Sequence, residues 1–154
     1  MDHHNMFHTR RTYNLARLDY LVLLVFCSVL ALIHYREMSW GRFLIAFAWI
    51  DVVGTLPAYY VYYLRRSGKH RSIPPIFYHL YNFCHSVVTN LVVTLAWAAV
   101  TGGWEWAMLG AAIHLTGDRS LFGNIYKPLG LSFEPVALEG FQQFLGEYEK
   151  GGRW

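Results

Sequence analysis

The sequence predicts an all-α, polytopic membrane protein, a bundle of four transmembrane helices followed by a C-terminal amphipathic interfacial helix. Three observations predict it. Of 154 residues, 55% are hydrophobic and only 15% charged, against about 25% charged in a soluble domain. The mean hydropathy is positive, at +0.23. Four apolar runs recur, each near the ~20 residues that cross hydrocarbon as a helix. Helices are required because lipid cannot satisfy an open strand edge.

Residues 1–17 form a basic segment carrying His3, His4, His8, Arg10, Arg11 and Arg17. It reads as a solvated cytoplasmic tail. The apolar run that follows continues to Tyr35 and ends in Arg36 and Glu37, which predicts an uncleaved first span rather than a signal peptide. Span one is placed at 18–35, span two at 42–64, span three at 76–100 and span four at 104–124, so the transmembrane domain is 18–127. Span two is interrupted by Asp51 and Pro57; span three has no charged residue between Arg71 and Glu105. The loop 65–72 carries Arg65, Arg66, Lys69 and Arg71, whereas the loop before span four has no cation. The positive-inside bias therefore puts loop 65–72 and both termini in the cytoplasm, as in a bacterial inner membrane. Tyr59, Tyr60, Tyr62, Tyr63, Trp104 and Trp106 fall where interfacial aromatic belts belong.

Residues 128–154 read as an amphipathic tail on the cytoplasmic face. Phe133, Val136, Ala137, Gly140, Phe141, Phe144, Leu145 and Tyr148 recur at three-and-four spacing, and Pro135 suits a first helical position. The net charge of +3 comes from clusters beside the spans. This suits membrane lipids and excludes a nucleic-acid footprint, since no basic helix lies outside the apolar runs. Cys27 and Cys84 both sit inside apolar runs and make neither a disulfide framework nor a zinc ribbon.

The polar residues within the spans carry the functional reading. Ionisable groups in hydrocarbon are costly and are kept with partners. His114 and Asp118 are four apart, on one helical face. Measured from the cytoplasmic end of each span, Asp51 lies about 20 Å deep, His85 about 14 Å, His114 about 15 Å and Asp118 about 9 Å. Gly54 and Pro57 allow a bend that would bring Asp51 to the others. Polar stripes agree with the depths. Tyr78, Asn82, His85, Ser86 and Thr89 share a face of span three, and Asp51, Thr55, Tyr59 and Tyr62 share a face of span two. Gly54 and Ala58 let a neighbour approach, and Gly110 and Gly117 flank His114.

Two histidines and two carboxylates suit zinc, iron or manganese with a position left for water. Asp51, His85, His114 and Asp118 are the expected metal ligands. Asn82 and Arg119 join His85, His114 and Asp118 as expected catalytic groups, and Tyr59, Tyr78, Ser86, Thr89 and Arg119 as expected substrate contacts. Arg119 would clamp a phosphate or pair with Asp118. The implied function is a membrane enzyme acting on a lipid-like or isoprenoid amphiphile by hydrolysis or acid–base chemistry. Three alternatives stand beside it: a metal-free isomerase or cyclase using His114 and Asp118, a haem subunit ligated by His85 and His114, and a non-catalytic subunit or transporter. A homo-oligomer is left open.

The segments YNFCHS (81–86) and AIHLTGDRSLFGNIYKPLG (112–130), with Asp51 upstream, resemble a domain-of-unknown-function family of small four-helix bacterial membrane proteins. The resemblance covers about residues 17–130. It maps onto Asp51, Tyr81, Asn82, His85, Ser86, His114, Asp118, Arg119 and Gly123; the Tyr126–Lys127 pair stands in reverse order. It implies a fold and a polar constellation, without a reaction. A looser similarity, in His and Asp placement only, is to membrane-bound metal-dependent hydrolases.

Overall fold

The computed structural model describes residues 9–65, 73–129, 132–134 and 138–151. The early histidines, the loop cations Arg66, Lys69 and Arg71, and Pro135, Val136 and Ala137 of the tail lie outside the described residues. Within them the chain is helical, with no strand.

Helix α1 (Arg10–Ile33) starts at Thr9, whose side chain accepts from the Thr12 amide. Only Ala31 of α1 is buried, and Leu18, Val22, Val25, Phe26, Val29 and Leu32 are exposed. An apolar surface of this kind is stable against hydrocarbon and costly against water. Helix α2 (Trp40–Gly54) runs into the short α3 (Leu56–Tyr59) and a wider π turn over 60–65, making one run from Trp40 to Leu64. The irregularity falls at Thr55–Pro57, where proline supplies no amide donor to the ladder.

Helices α4 (Pro75–Cys84) and α5 (Val87–Thr101) form the third expected span, but they meet at an angle of 58°. The break at His85 and Ser86 involves neither proline nor glycine. It frees carbonyls that hydrocarbon cannot solvate, and side chains take them up. Asn90 Nδ2 donates to the Cys84 carbonyl at 2.7 Å, and Arg119 Nη2 donates to the His85 carbonyl at 3.0 Å. Broken membrane helices persist on this condition.

The fourth apolar run is a tight turn at Trp106–Met108, then α6 (Leu109–Gly117), then a π turn over Asp118–Phe122. It falls short of the ~20 residues of a regular crossing and occupies the middle of the bundle. Residues 107–111, 114–116, Arg119 and Ser120 are all buried. Gly123, at φ +72°, ends it. Arg17 of α1 caps that end, donating to the carbonyls of Ser120 at 2.8 Å and Leu121 at 2.9 Å, and Tyr13 donates to the Gly123 carbonyl. Arg17 is thus a helix cap rather than only a headgroup cation.

Among the described residues, two helices are therefore long and apolar enough to cross a membrane, and three when the bent α4–α5 pair counts as one crossing. Glycine sets two close approaches. A Cβ on Gly54 would lie 2.8 Å from Cys84 Cβ, and one on Gly110 would strike the Phe43 carbonyl and sit 3.3 Å from Ala46 Cβ. Gly117, expected to play a similar part beside His114, faces open space.

The tail departs from expectation at its start. Helix α7 (Glu139–Gly151) contains no buried residue, with Phe141, Phe144 and Tyr148 running along one side. Glu149 accepts from the Arg10 amide at the start of α1. Phe133 does not belong to this amphipathic face. It is fully buried among Tyr59, Tyr62, Tyr78 and Tyr81, with ring centroids 5.5 to 6.3 Å away. An aromatic side chain of this size gains more from an edge-to-face nest than from the membrane surface.

The two glycines of α6 give a contrast. Gly110→Val should lower stability by about 1–3 kcal/mol through overpacking against α2. Gly117→Ala should leave it unchanged or slightly raised. Thermal unfolding of the detergent-solubilised variants measures both.

Candidate metal centre

Three elements converge on one point. Asp51 comes from the last turn of α2, His85 from the α4–α5 break, and His114 and Asp118 from the inner helix. Asp118 Oδ2 lies 3.3 Å from His85 Nε2 and 3.4 Å from His114 Nε2. Asp51 reaches the same two nitrogens with its two oxygens, Oδ1 at 3.6 Å and Oδ2 at 3.6 Å. Asp51, His85 and His114 each offer a ligand atom within 4.8 Å of the others. The depth and face arithmetic placed these four residues together, and the fold brings them together.

The surroundings orient each ring and carboxylate. His85 Nδ1 is 2.9 Å from the Tyr81 carbonyl, so it donates there and turns Nε2 toward the carboxylates. The Tyr81 ring stacks on the imidazole at 3.8 Å. The Phe47 ring packs edge-on against His114 at 4.8 Å. Thr55 Oγ1 donates to Asp51 Oδ1 at 2.6 Å, which leaves Oδ2 toward His114. The imidazoles are almost fully buried, Asp118 is 19% exposed and Asp51 is 48% exposed. The site is closed except on the Asp51 side.

The histidine nitrogens are the informative feature. His85 Nε2, His114 Nε2 and His114 Nδ1 are buried without a hydrogen-bond partner. Buried polar atoms are almost always satisfied, yet these orphans cluster beside two carboxylates. Asp51, His85 and His114 are thus grouped as three ligands that could hold a metal ion, with Asp118 Oδ2 beside both histidine nitrogens; imidazole with carboxylate is a donor set that zinc, iron or manganese accepts.

Other expected site residues stand elsewhere. Asn82 spends both amide groups on the backbone of Lys127, donating to its carbonyl at 2.9 Å and accepting from its amide at 2.7 Å. Both groups are thus held by the backbone, which fixes the side chain at that place. Arg119 is 4% exposed and makes no ion pair with Asp118 or any other described carboxylate. Besides the His85 carbonyl it donates to Tyr20 Oη at 2.9 Å, and it lies over the Tyr20 and Tyr126 rings. Tyr59 and Tyr78 pack on Phe133, and Tyr78 is 1% exposed. Ser86 and Thr89, half-buried, begin α5 beside the break.

Thr55, read on the face of Asp51, does bond it; the hold of the Tyr81 carbonyl on His85 was not read, although the four-residue spacing was visible. Lys127 was not placed. It is 7% exposed, with Nζ 3.5 Å from Glu134 and over the rings of Phe133 and Tyr81.

Compared with known proteins, the chain matches no family model, no curated protein and no solved structure.

Replacing Arg119 tests the break beside the site. Arg119→Met should cost about 1–3 kcal/mol, because the His85 carbonyl is left buried without a donor. Unfolding in mixed micelles, wild type beside variant, reads this directly.

Proposed function

We propose that this chain is an integral membrane enzyme that crosses the bilayer four times and holds a divalent metal between Asp51, His85, His114 and Asp118. The observation that carries the reading is the convergence of two carboxylates on two buried Nε2 atoms that have no hydrogen-bond partner. Left alone, two carboxylates beside two neutral imidazoles would carry two negative charges, of which the buried Arg119 offsets one, and burying unpaired charge costs several kcal/mol per ion. A divalent ion would more than offset the remainder. In this reading the inner helix is the fourth crossing, short because its neighbours shield it. The basic loop 65–72 and both termini face the cytoplasm, α7 lies at that membrane surface, and the membrane is a bacterial inner membrane.

The metal, zinc, iron or manganese, would act as a Lewis acid, polarising a substrate oxygen and acidifying water. The chain's own residues divide the remaining work. The Tyr81 carbonyl fixes the His85 tautomer, as outer partners of metal-binding histidines do. Asp118, beside both Nε2 atoms, would stand with them as a ligand. Asp51, the one exposed member, faces the side from which a substrate arrives and is the carboxylate placed to take or return a proton there. Hydrolysis of a lipid-like or isoprenoid amphiphile suits this arrangement, since the site lies at the depth of the apolar spans.

Haem is a poorer fit for the same histidines. Carboxylate oxygens lie within 3.6 Å of both Nε2 atoms, where a porphyrin plane would have to pass.

Elemental mass spectrometry of protein purified in mild detergent should find close to one metal per chain, and His114→Ala and Asp118→Asn should each abolish it. Wild-type protein that is folded and metal-free would overturn the reading; iron with a Soret band would replace it by haem. Chelation should also lower the unfolding temperature. With free metal a thousandfold above its Kd, the bound state is stabilised by about 4 kcal/mol.

A further inference from the structure

Lys127 is a buried charge that the metal reading does not use. It is 7% exposed, and its ammonium lies over the Tyr81 ring at 5.3 Å and the Phe133 ring at 4.8 Å, 3.5 Å from Glu134. Packing alone does not call for a lysine there, since apolar side chains of similar volume often replace a buried ion pair without loss of stability. The position of the charge is nonetheless fixed at both ends. Asn82, the residue after Tyr81, holds the Lys127 backbone by donating to its carbonyl and accepting from its amide. At the other end Glu134 is 28% exposed, and the Tyr59 hydroxyl is turned toward it.

The Tyr81 ring links this charge to the site. It stacks on the His85 imidazole at 3.8 Å and 11°, and Phe133 meets it edge-on at 5.7 Å. Helix α4 stops at His85, so no following helical turn braces the imidazole. The Tyr81 carbonyl holds Nδ1, which is one point about which the ring can still rock. Face contact with Tyr81 removes that freedom and keeps Nε2 aimed at Asp51 and Asp118. The Tyr81 ring is in turn held by Lys127 and Phe133, both from the segment that follows the inner helix. A desolvated cation is attracted to the face of an aromatic ring, and the ring cannot tip away without losing that attraction.

We propose that Lys127 is a positioning residue of the site: its ammonium holds the Tyr81 ring flat on His85, and the strength of metal binding follows from that hold. The consequence for the metal rests on the reading above; the hold on the ring does not. Outer partners of metal-binding histidines change affinity by about 10–100-fold.

The full chain in mild detergent tests this, wild type beside Lys127→Met, Lys127→Arg, Tyr81→Leu and the Lys127→Met, Tyr81→Leu double variant. Zinc affinity is read by competition with a chromophoric chelator, and the His85 ring protons by NMR of the metal-free protein. Lys127→Met and Tyr81→Leu should each weaken zinc by about tenfold to a hundredfold. The double variant should lose no more than Tyr81→Leu alone, because both changes act through one ring, and Lys127→Arg should bind as wild type does. The His85 ring protons, shifted upfield by the Tyr81 face, should move downfield in Lys127→Met. Adding Glu134→Gln to Lys127→Met removes the unpaired carboxylate and should give the same losses in a chain that unfolds as wild type does. Wild-type zinc affinity in folded Lys127→Met, or losses that add in the double variant, would overturn the proposal and leave the metal reading intact. Wild-type chain that binds no zinc would sink the metal reading; moved His85 ring protons would then uphold the hold on Tyr81, and unmoved ones would overturn it.

Discussion

Asp118 reaches two buried imidazoles at once, at 3.3 and 3.4 Å, and much of the molecule is arranged so that it can. A charged group at the centre of a membrane helix costs at least about 2.5–3.5 kcal/mol. The inner helix carries His114, Asp118 and Arg119 within six residues, the densest polar content of any apolar run in the chain. It is therefore the helix that the others enclose. Helix α1, which has almost nothing polar in its middle, lies outside with one buried residue. Gly110 and Gly54 let α2 come close to the inner helix and to α4, so that three backbones deliver side chains to one point.

The break at His85 follows from the same constraint. A straight third span would place His85 on its stripe but would keep its carbonyl in the helical ladder. Ending α4 there frees carbonyls for Asn90 and Arg119, while the Tyr81 carbonyl accepts both the His85 amide and Nδ1. The guanidinium of Arg119 needs no carboxylate, because two tyrosine rings, a hydroxyl and a carbonyl satisfy it. Asp118 is then not neutralised by its neighbour in sequence, which keeps its charge available to the imidazoles.

The legible part of this site was the part governed by local geometry. Helical rise put Asp51, His85, His114 and Asp118 in one layer and helical period gave each a face; the four side chains do meet. The illegible part depended on partners far away in sequence. Arg119 was read as a phosphate clamp because nothing near it announced the His85 carbonyl, 34 residues earlier. Asn82 was read as a site donor because its stripe was right; the backbone of Lys127, 45 residues later, claims both of its amide groups. Phe133 fits the periodicity of the tail but pairs with four tyrosines from two other helices. The bend at His85 had no proline or glycine to mark it. The number of full crossings was blurred because a hydropathy window measures apolarity and is blind to enclosure by neighbouring helices.

Charge balance connects the enclosed site to its opening. Two carboxylates and Arg119 leave a net single negative charge among these groups when both imidazoles are neutral. One added proton balances it, whereas a divalent ion leaves an excess positive charge. With the metal bound, the enclosed group would then favour an anionic or strongly polarised head on the Asp51 side, where the site is open. Without the metal, a neutral hydroxyl or carbonyl would be the better guest.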